Sequence, residues 1–242
     1  MYNTSAPKPT KWYQTIWGVL LVGFGVFLLV ALGVFLFTAG KYWYEIKQGR
    51  GEDLYNKIYT STNVDKASKE IAVVPDRPVL GADSAPVTIV EFIDFRCSNC
   101  LLAEPIIKQV LQKYGTKVKL VVRDFPIESL HTGATKLAEI ARCAYEQNQY
   151  WAVHDWIFDH QSEITGVLTS SEIEAIATTL GLDISKLNTC LSGTVARTVI
   201  NRDYVDGYNL GISGTPAFFV NGTKIEGVVP FAVWEKYLSN IK

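Results

Sequence analysis

The fifteen residues "PVTIVEFIDFRCSNC", positions 86–100, decide how this chain is read. The first ten are β-branched, aromatic and apolar almost throughout. That is the pattern of a strand buried on both faces, usually a parallel strand between helices. Cys97 and Cys100 follow directly, with Ser98 and Asn99 between them. The next segment, "SNCLLAEPIIKQVLQKYG", reads as a helix. Leu101, Leu102, Ile106, Val110 and Leu111 recur near helical spacing, Gly115 suits a C-terminal cap, and Pro105 should kink the helix. A second strand is expected over Lys117 to Phe125, which completes a βαβ unit.

A cysteine pair of this spacing has three readings. Zinc needs four ligands, usually arriving as two close pairs. Here Cys143 and Cys190 lie far apart, and His131, His154 and His160 share no ligand spacing, so no metal is expected. A structural disulfide across Cys97 and Cys100 closes so short a loop that it removes little unfolded-state entropy. The redox reading has a mechanism. Thiolate is the reactive form of cysteine, and a thiolate at a helix start meets unpaired N–H groups and the positive end of the helix dipole. Cys97 is then the exposed attacker, and Cys100, one turn deeper on the same face, resolves the mixed disulfide. Arg96 adds a positive charge if it points inward.

Downstream the pattern is helical from about residue 130 to 210. Leu137, Ile140, Ala141, Ala144 and Tyr145 form one apolar face. Trp151, Val153, Trp156, Ile157 and Phe158 suggest a second helix. Thr169 or Ser170 caps a third, with Glu172 in its first turn and Gly181 at its end, and two more run through Leu187 and from Val195 to Tyr208. Then "GTPAFFVNGTKIEG" returns to strand, with Asn221-Gly222 as a hairpin turn, and "VPFAVWEKYLSNIK" closes as an amphipathic helix. The order is βαβ, a helical insertion, then ββα.

Upstream, Ile16 to Ala39 holds no charged residue. A helix of that length spans roughly 36 Å, enough for a bilayer core of about 30 Å. Trp12, Tyr13 and Trp17 at one end, and Tyr42, Trp43 and Tyr44 at the other, suit the two headgroup layers. A cleaved signal peptide ("FTAG" as its site) and a buried core helix are the alternatives. Gly18, Gly25, Gly33 and Gly40 offer a helix-packing face. Lys8 and Lys11 before the span nearly balance Lys41, Lys47 and Arg50 after it, so charge alone does not orient it. The expected organisation is a tail over 1–15, a transmembrane helix over 16–39, a stalk over 40–79 with a short helix near Leu54–Thr60, and a domain over 80–242. The formal net charge of −1 over 242 residues lacks the basic excess of a nucleic-acid binder.

Several of these features, in this order, resemble the DsbA-like form of the thioredoxin fold. They are the strand "TIVEFIDF", Cys97-Ser98-Asn99-Cys100, Pro105, the helical insertion and "GTPAFFVNG". The resemblance covers about Pro78 to Lys242. It implies that Thr215-Pro216 is the family's residue pair ending in a cis-proline, that Pro216 lies against Cys97, and that the backbone at Thr215 pairs with a substrate chain. An ordinary turn before a strand is the plainer alternative. It implies that Glu91, six residues before Cys97, is the family's buried acid, able to accept the proton of the resolving thiol. A solvent-paired glutamate at a sheet edge is the alternative there, and Asp94 is a second candidate acid. Some relatives outside the cytosol carry a bridge like Cys143–Cys190, which would close a loop of about 48 residues and contribute up to about 4 kcal/mol. Two buried thiols or a second redox relay are the other options.

The most oxidising members of that family carry Pro-His where this chain has Ser98-Asn99. The expectation is therefore a membrane-anchored α/β protein of thioredoxin-like fold that performs thiol–disulfide exchange without a cofactor. Its Cys97–Cys100 disulfide would be donated to reduced, unfolded polypeptides outside the cytosol, with the N-terminus cytoplasmic, and a membrane redox partner would reoxidise it. A reductase or isomerase of the same fold, and a tethered peptide-binding module without redox activity, are the rival expectations.

Overall fold

The structure is a computed structural model that describes residues 16–47 and 74–239. The expected tail, with Lys8, Lys11, Trp12 and Tyr13, lies outside the described residues. So do most of the stalk, Arg50, the helix near Leu54–Thr60, and the side chains of Trp17, Tyr42 and Lys47. The chain divides into two units, 1–58 and 59–242.

The first unit contributes α1 (Ile16–Lys47), which continues past Ala39 to a length of 32 residues. Within it, Gly23–Lys41 is long and apolar enough to cross a membrane. Large apolar side chains along it are exposed, Leu29 by 70% and Phe37 by 74%, which a soluble core helix would not show. Its polar Thr38 hydroxyl donates to the carbonyls of Val34 and Phe35 at 2.9 Å, so that group needs no outside partner.

The second unit is built on five strands: β1 (Val79–Gly81), β2 (Val87–Ile93), β3 (Val118–Asp124), β4 (Ala217–Val220) and β5 (Thr223–Glu226). Their order across the sheet is β1-β3-β2-β4-β5. β2 runs parallel to β3, from Val87 opposite Val118 to Ile93 opposite Asp124. The other pairings are antiparallel. The parallel pair needs a crossover, and α2 (Ser98–Tyr114) supplies it. Central placement explains why β2 is buried on both faces. Val90 and Phe92 join Val121, Phe125, Ala217 and Phe219 in one core cluster, while Glu91 and Ile93 face the other way.

Between β3 and β4 lie α3 (Ala134–Tyr145), α4 (Tyr150–Asp159), α5 (Ser170–Thr179), α6 (Ile184–Ser192) and α7 (Val195–Asn209), and α8 (Phe231–Ser239) follows β5. This is the thioredoxin-like α/β fold with an all-helical insertion. Thr169 caps α5 in a reciprocal box: its N–H donates to the Glu172 carboxylate at 2.7 Å and its hydroxyl accepts from the Glu172 N–H. The β4–β5 turn holds Asn221 and Gly222 at φ 48° and 91°, the left-handed pair of a two-residue hairpin.

Two local expectations need correcting. The buried stripe of α2 is Cys100, Ala103, Ile107 and Val110, whereas Leu102 is 60% exposed. The side of α2 that carries Cys100 must face the sheet, and that turns Leu102 outward. Gly115 ends α2 in a right-handed conformation, φ −56°, so its freedom is not used for a left-handed cap.

Candidate active site

Cys97 is the N-cap of α2, with extended backbone at φ −77° and ψ 122°. Its N–H donates to the Asp94 carbonyl at 3.0 Å, and its own carbonyl accepts from the N–H groups of Cys100 at 3.1 Å and Leu101 at 3.2 Å. This places its sulfur beside the first-turn N–H groups of Asn99 and Cys100. Cys97 is 7% exposed and Cys100 1% exposed, and both are free thiols. Ser98 and Asn99 are exposed beside them.

The strand-loop before β4 reaches the same spot. The Thr215–Pro216 peptide is cis, and the Cys97 thiol donates to the Thr215 carbonyl at 3.2 Å. That bond favours the protonated sulfur. The Thr215 hydroxyl is buried with no other protein partner, so it is free to donate to a thiolate.

The two thiols are pushed apart. Hydrogen bonding from the Cys100 thiol, then from Thr215 and from the N–H groups of Cys100 and Asn99, pulls Cys97 from 9.0 down to about 5, against the opposing effect of burial. Burial, and then the neighbouring Cys97, drive Cys100 well above its ordinary range. Arg96 does not contribute to this: its guanidinium donates to the Ile164 carbonyl.

Glu91 sits on the central strand and is 5% exposed, so the sheet-edge alternative does not apply. Burial, and then the charge of Glu104, raise its carboxyl from 4.5 to about 8. It shares a cavity of about 270 Å³ with Cys100, Glu104, Trp151, His154 and Phe158. Asp94, the other candidate acid, is fully engaged as an acceptor. It takes bonds from the N–H of Arg96 at 2.7 Å and of Ile127 at 2.8 Å, and lies 2.7 Å from His131 Nδ1. Its part is to shape the turn that carries the cysteines.

Glu104, His154 and Asp155 bring possible ligand atoms within 4.8 Å of one another. Lys108 Nζ already lies 2.8 Å from Glu104 and 3.2 Å from Asp155, so an ammonium fills the cation's role there. The remaining cysteines are joined: Cys143 of α3 and Cys190 of α6 form a disulfide.

One residue at the site carried no sequence signal. Gln161, in the turn after α4, donates its side-chain amide to the Phe95 carbonyl at 2.9 Å and the Cys97 carbonyl at 3.1 Å. No periodicity or motif marks such a contact.

The fold and the paired thiols define a dithiol site on a thioredoxin-like scaffold with a helical insertion. A family profile described as Thioredoxin matches residues 74–240, and the chain belongs to that family. Among solved structures it is similar to the thiol-disulfide exchange protein alpha-DsbA2 of Wolbachia pipientis, at 24% identity and a TM-score of 0.64, over 73% of this chain and 92% of that one. It is similar to a thioredoxin-like oxidoreductase of Silicibacter pomeroyi, at 27% identity and a TM-score of 0.61, over 72% and 96%. BdbD of Bacillus subtilis matches with 20% identity and a TM-score of 0.60, over 67% and 91%. These likenesses agree on the fold. A curated relative, named Na(+)/H(+) antiporter NhaA 3, of Salinispora tropica, is 38% identical over 159 residues, 65% of this chain. The chain spans 24% of that relative's length.

Proposed function

We propose that this chain is a membrane-anchored disulfide donor that oxidises reduced, unfolded polypeptides outside the cytosol. The single observation that carries the reading is the split between the thiols of Cys97, pulled down to about 5, and Cys100, driven up by burial. A stabilised Cys97 thiolate favours the reduced protein over its disulfide, and that makes the disulfide a stronger oxidant.

The step balances as follows. A substrate thiolate attacks Cys97 of the Cys97–Cys100 disulfide, and the electron pair of the broken S–S bond leaves on Cys100. Cys100, with its high proton affinity, takes up a proton, for which protonated Glu91 is the nearby source; in the reverse direction Glu91 accepts it. A second substrate thiolate then attacks the substrate sulfur of the mixed disulfide and releases Cys97 as a thiolate. Two electrons have passed from the substrate thiols to the cysteine pair. Thr215 and Pro216 flank the attacked sulfur, and the Thr215 backbone offers the edge on which an extended substrate segment pairs.

α1 supplies the anchor, and the domain lies on the oxidising side, with the N-terminus cytoplasmic. The antiporter name of the curated relatives agrees with a membrane setting. A membrane redox partner returns the pair to its disulfide. The test is the reduction potential of the full chain in detergent. A value near about −120 mV supports the donor, whereas one near about −270 mV would make it a reductase. The second outcome stays in view because Ser98-Asn99 adds no positive charge between the cysteines.

A further inference from the structure

The turn that carries Cys97 is held from two sides. On one side Asp94 accepts from Arg96, Ile127 and His131. On the other the helical insertion grips residues 95–97. The Phe95 ring packs on Phe158 of α4 at 5.3 Å and on His154 at 5.7 Å. The Arg96 guanidinium donates to the Ile164 carbonyl. Gln161 donates to the carbonyls of Phe95 and Cys97 from a single amide nitrogen, at 2.9 Å and 3.1 Å.

The segment that delivers Gln161 is itself fixed. His160 stacks on Trp156 at 4.2 Å and its Nδ1 lies 2.8 Å from the Trp156 carbonyl. The Gln161 N–H donates to the Phe158 carbonyl, and that of Ile164 to the His160 carbonyl, both at 3.3 Å. Ile164 is buried. The amide of Gln161 is therefore presented by a folded turn and not by a free side chain on a mobile loop.

The Cys97 carbonyl is the acceptor on which the first turn of α2 closes, through Cys100 and Leu101. A third donor on that oxygen restricts its swing. The direction of that carbonyl sets where the Asn99 and Cys100 N–H groups point, because all belong to one turn of backbone. We propose that Gln161 is a positioning residue for the cysteine pair: its amide, supplied by the insertion, locks the Cys97 carbonyl so that the first-turn N–H groups of α2 stay aimed at the Cys97 sulfur. The inference rests on the disulfide-exchange reading for its purpose, but its geometry concerns the thiol alone. The insertion then acts on Cys97 from 64 residues away in sequence.

The test uses the full chain in detergent and two variants. Gln161→Met removes the donor and keeps the length. Gln161→Glu keeps the shape and replaces the donor with an acceptor facing two carbonyls; its half-buried position tolerates it. The rate of Cys97 alkylation is followed against pH, together with the exchange constant against glutathione and the melting temperature. The midpoint of the alkylation profile is expected to rise in both variants, more in Gln161→Glu. The exchange constant should weaken by about tenfold for each unit of rise. A folded variant with an unmoved midpoint, whatever its melting temperature, overturns the proposal, and so does a midpoint that falls. If the unaltered chain fails to exchange disulfides at all, the functional reading fails, while the alkylation profile still decides the role of Gln161.

Discussion

The carbonyl oxygen of Thr215 lies 3.2 Å from the sulfur of Cys97, although 118 residues separate them in sequence. The same residue holds a buried hydroxyl with no other protein partner. Thr215→Val should keep the backbone contact and delete that hydroxyl. The thiolate then loses a donor, so the Cys97 alkylation midpoint should rise, by under about one unit for one lost hydrogen bond. An unchanged midpoint would show that the hydroxyl does not serve the thiolate.

The acidity of Cys97 should also appear as stability. Its folded value of about 5 lies below the ordinary 9.0. A depressed acid contributes stability that is fully present above the unfolded value and lost as pH falls through the folded one. The oxidised protein has no such group. Reduced protein should therefore be the more stable form near pH 8, and the gap should close progressively as pH approaches 5. Denaturant melts of both forms across that range test this; a gap that widens on acidification would contradict it. Cys100→Ala should raise the midpoint of Cys97, since the Cys100 thiol is its largest stabiliser.

Glu91 runs the opposite way. Its carboxyl is raised from 4.5 to about 8, so the folded state holds a proton that the unfolded state has released. Stability should fall as pH rises through that window. Glu91→Gln removes the dependence, and its advantage over the unaltered chain should grow from about pH 4.5 to 8, reaching roughly 3–5 kcal/mol. At the same time the loss of the proton source for Cys100 should slow the first half of the exchange, the step in which Cys100 leaves. A Glu91→Gln chain whose stability tracks the unaltered chain at every pH would place the carboxyl in water.

Much of this was legible in sequence, for a definable reason. The strand within 86–95, the insertion, the cap at Thr169 or Ser170 and the Asn221-Gly222 turn are local patterns, and local patterns leave periodic or compositional marks. The face of α2 was misassigned because Leu102 is as apolar as the residues that are buried; only the sheet decides which side is covered. β1 has three residues and no pattern of its own, and it exists as the edge partner of β3. The resemblance singles out Glu91, with Asp94 as a second candidate acid closer to the cysteines. They separate only when the fold shows Asp94 filled by three hydrogen-bond partners and Glu91 buried on the central strand.

A buried charge cluster links the insertion to the sheet. Asp203 of α7 is fully buried and accepts from Arg77 Nε at 2.9 Å, from Arg123 Nη2 at 2.6 Å and from the Asp124 N–H at 3.2 Å. Asp203→Ala would leave two guanidinium groups facing each other without their shared carboxylate. The loss should be about 3–5 kcal/mol, seen as a lower denaturation midpoint. Asp203→Asn retains an acceptor and should lose less. Equal loss in the two variants would argue that the charge, and not the shape of the side chain, carries the stabilisation.

The Cys143–Cys190 bridge should matter for the insertion and not for exchange. Helix α6 has one fully buried side chain, Leu187. Beyond that it is held by the Asp183 cap, which accepts from the Lys186 N–H at 3.0 Å, and by Gln147, which accepts from the Asp183 N–H at 2.8 Å and donates to its carbonyl at 3.3 Å. So thin a core leaves the disulfide to α3 as its main tether. A bridge between residues 47 apart removes substantial unfolded-state freedom. Cys143→Ala with Cys190→Ala should therefore lower stability by about 2–4 kcal/mol and speed amide exchange in α6 first. Disulfide exchange at Cys97 should keep its rate below the new melting point, because Cys97 is held by Thr215, Asp94 and Gln161, none of which lies on α6. Loss of exchange in a still-folded double variant would instead make the bridge part of the electron path.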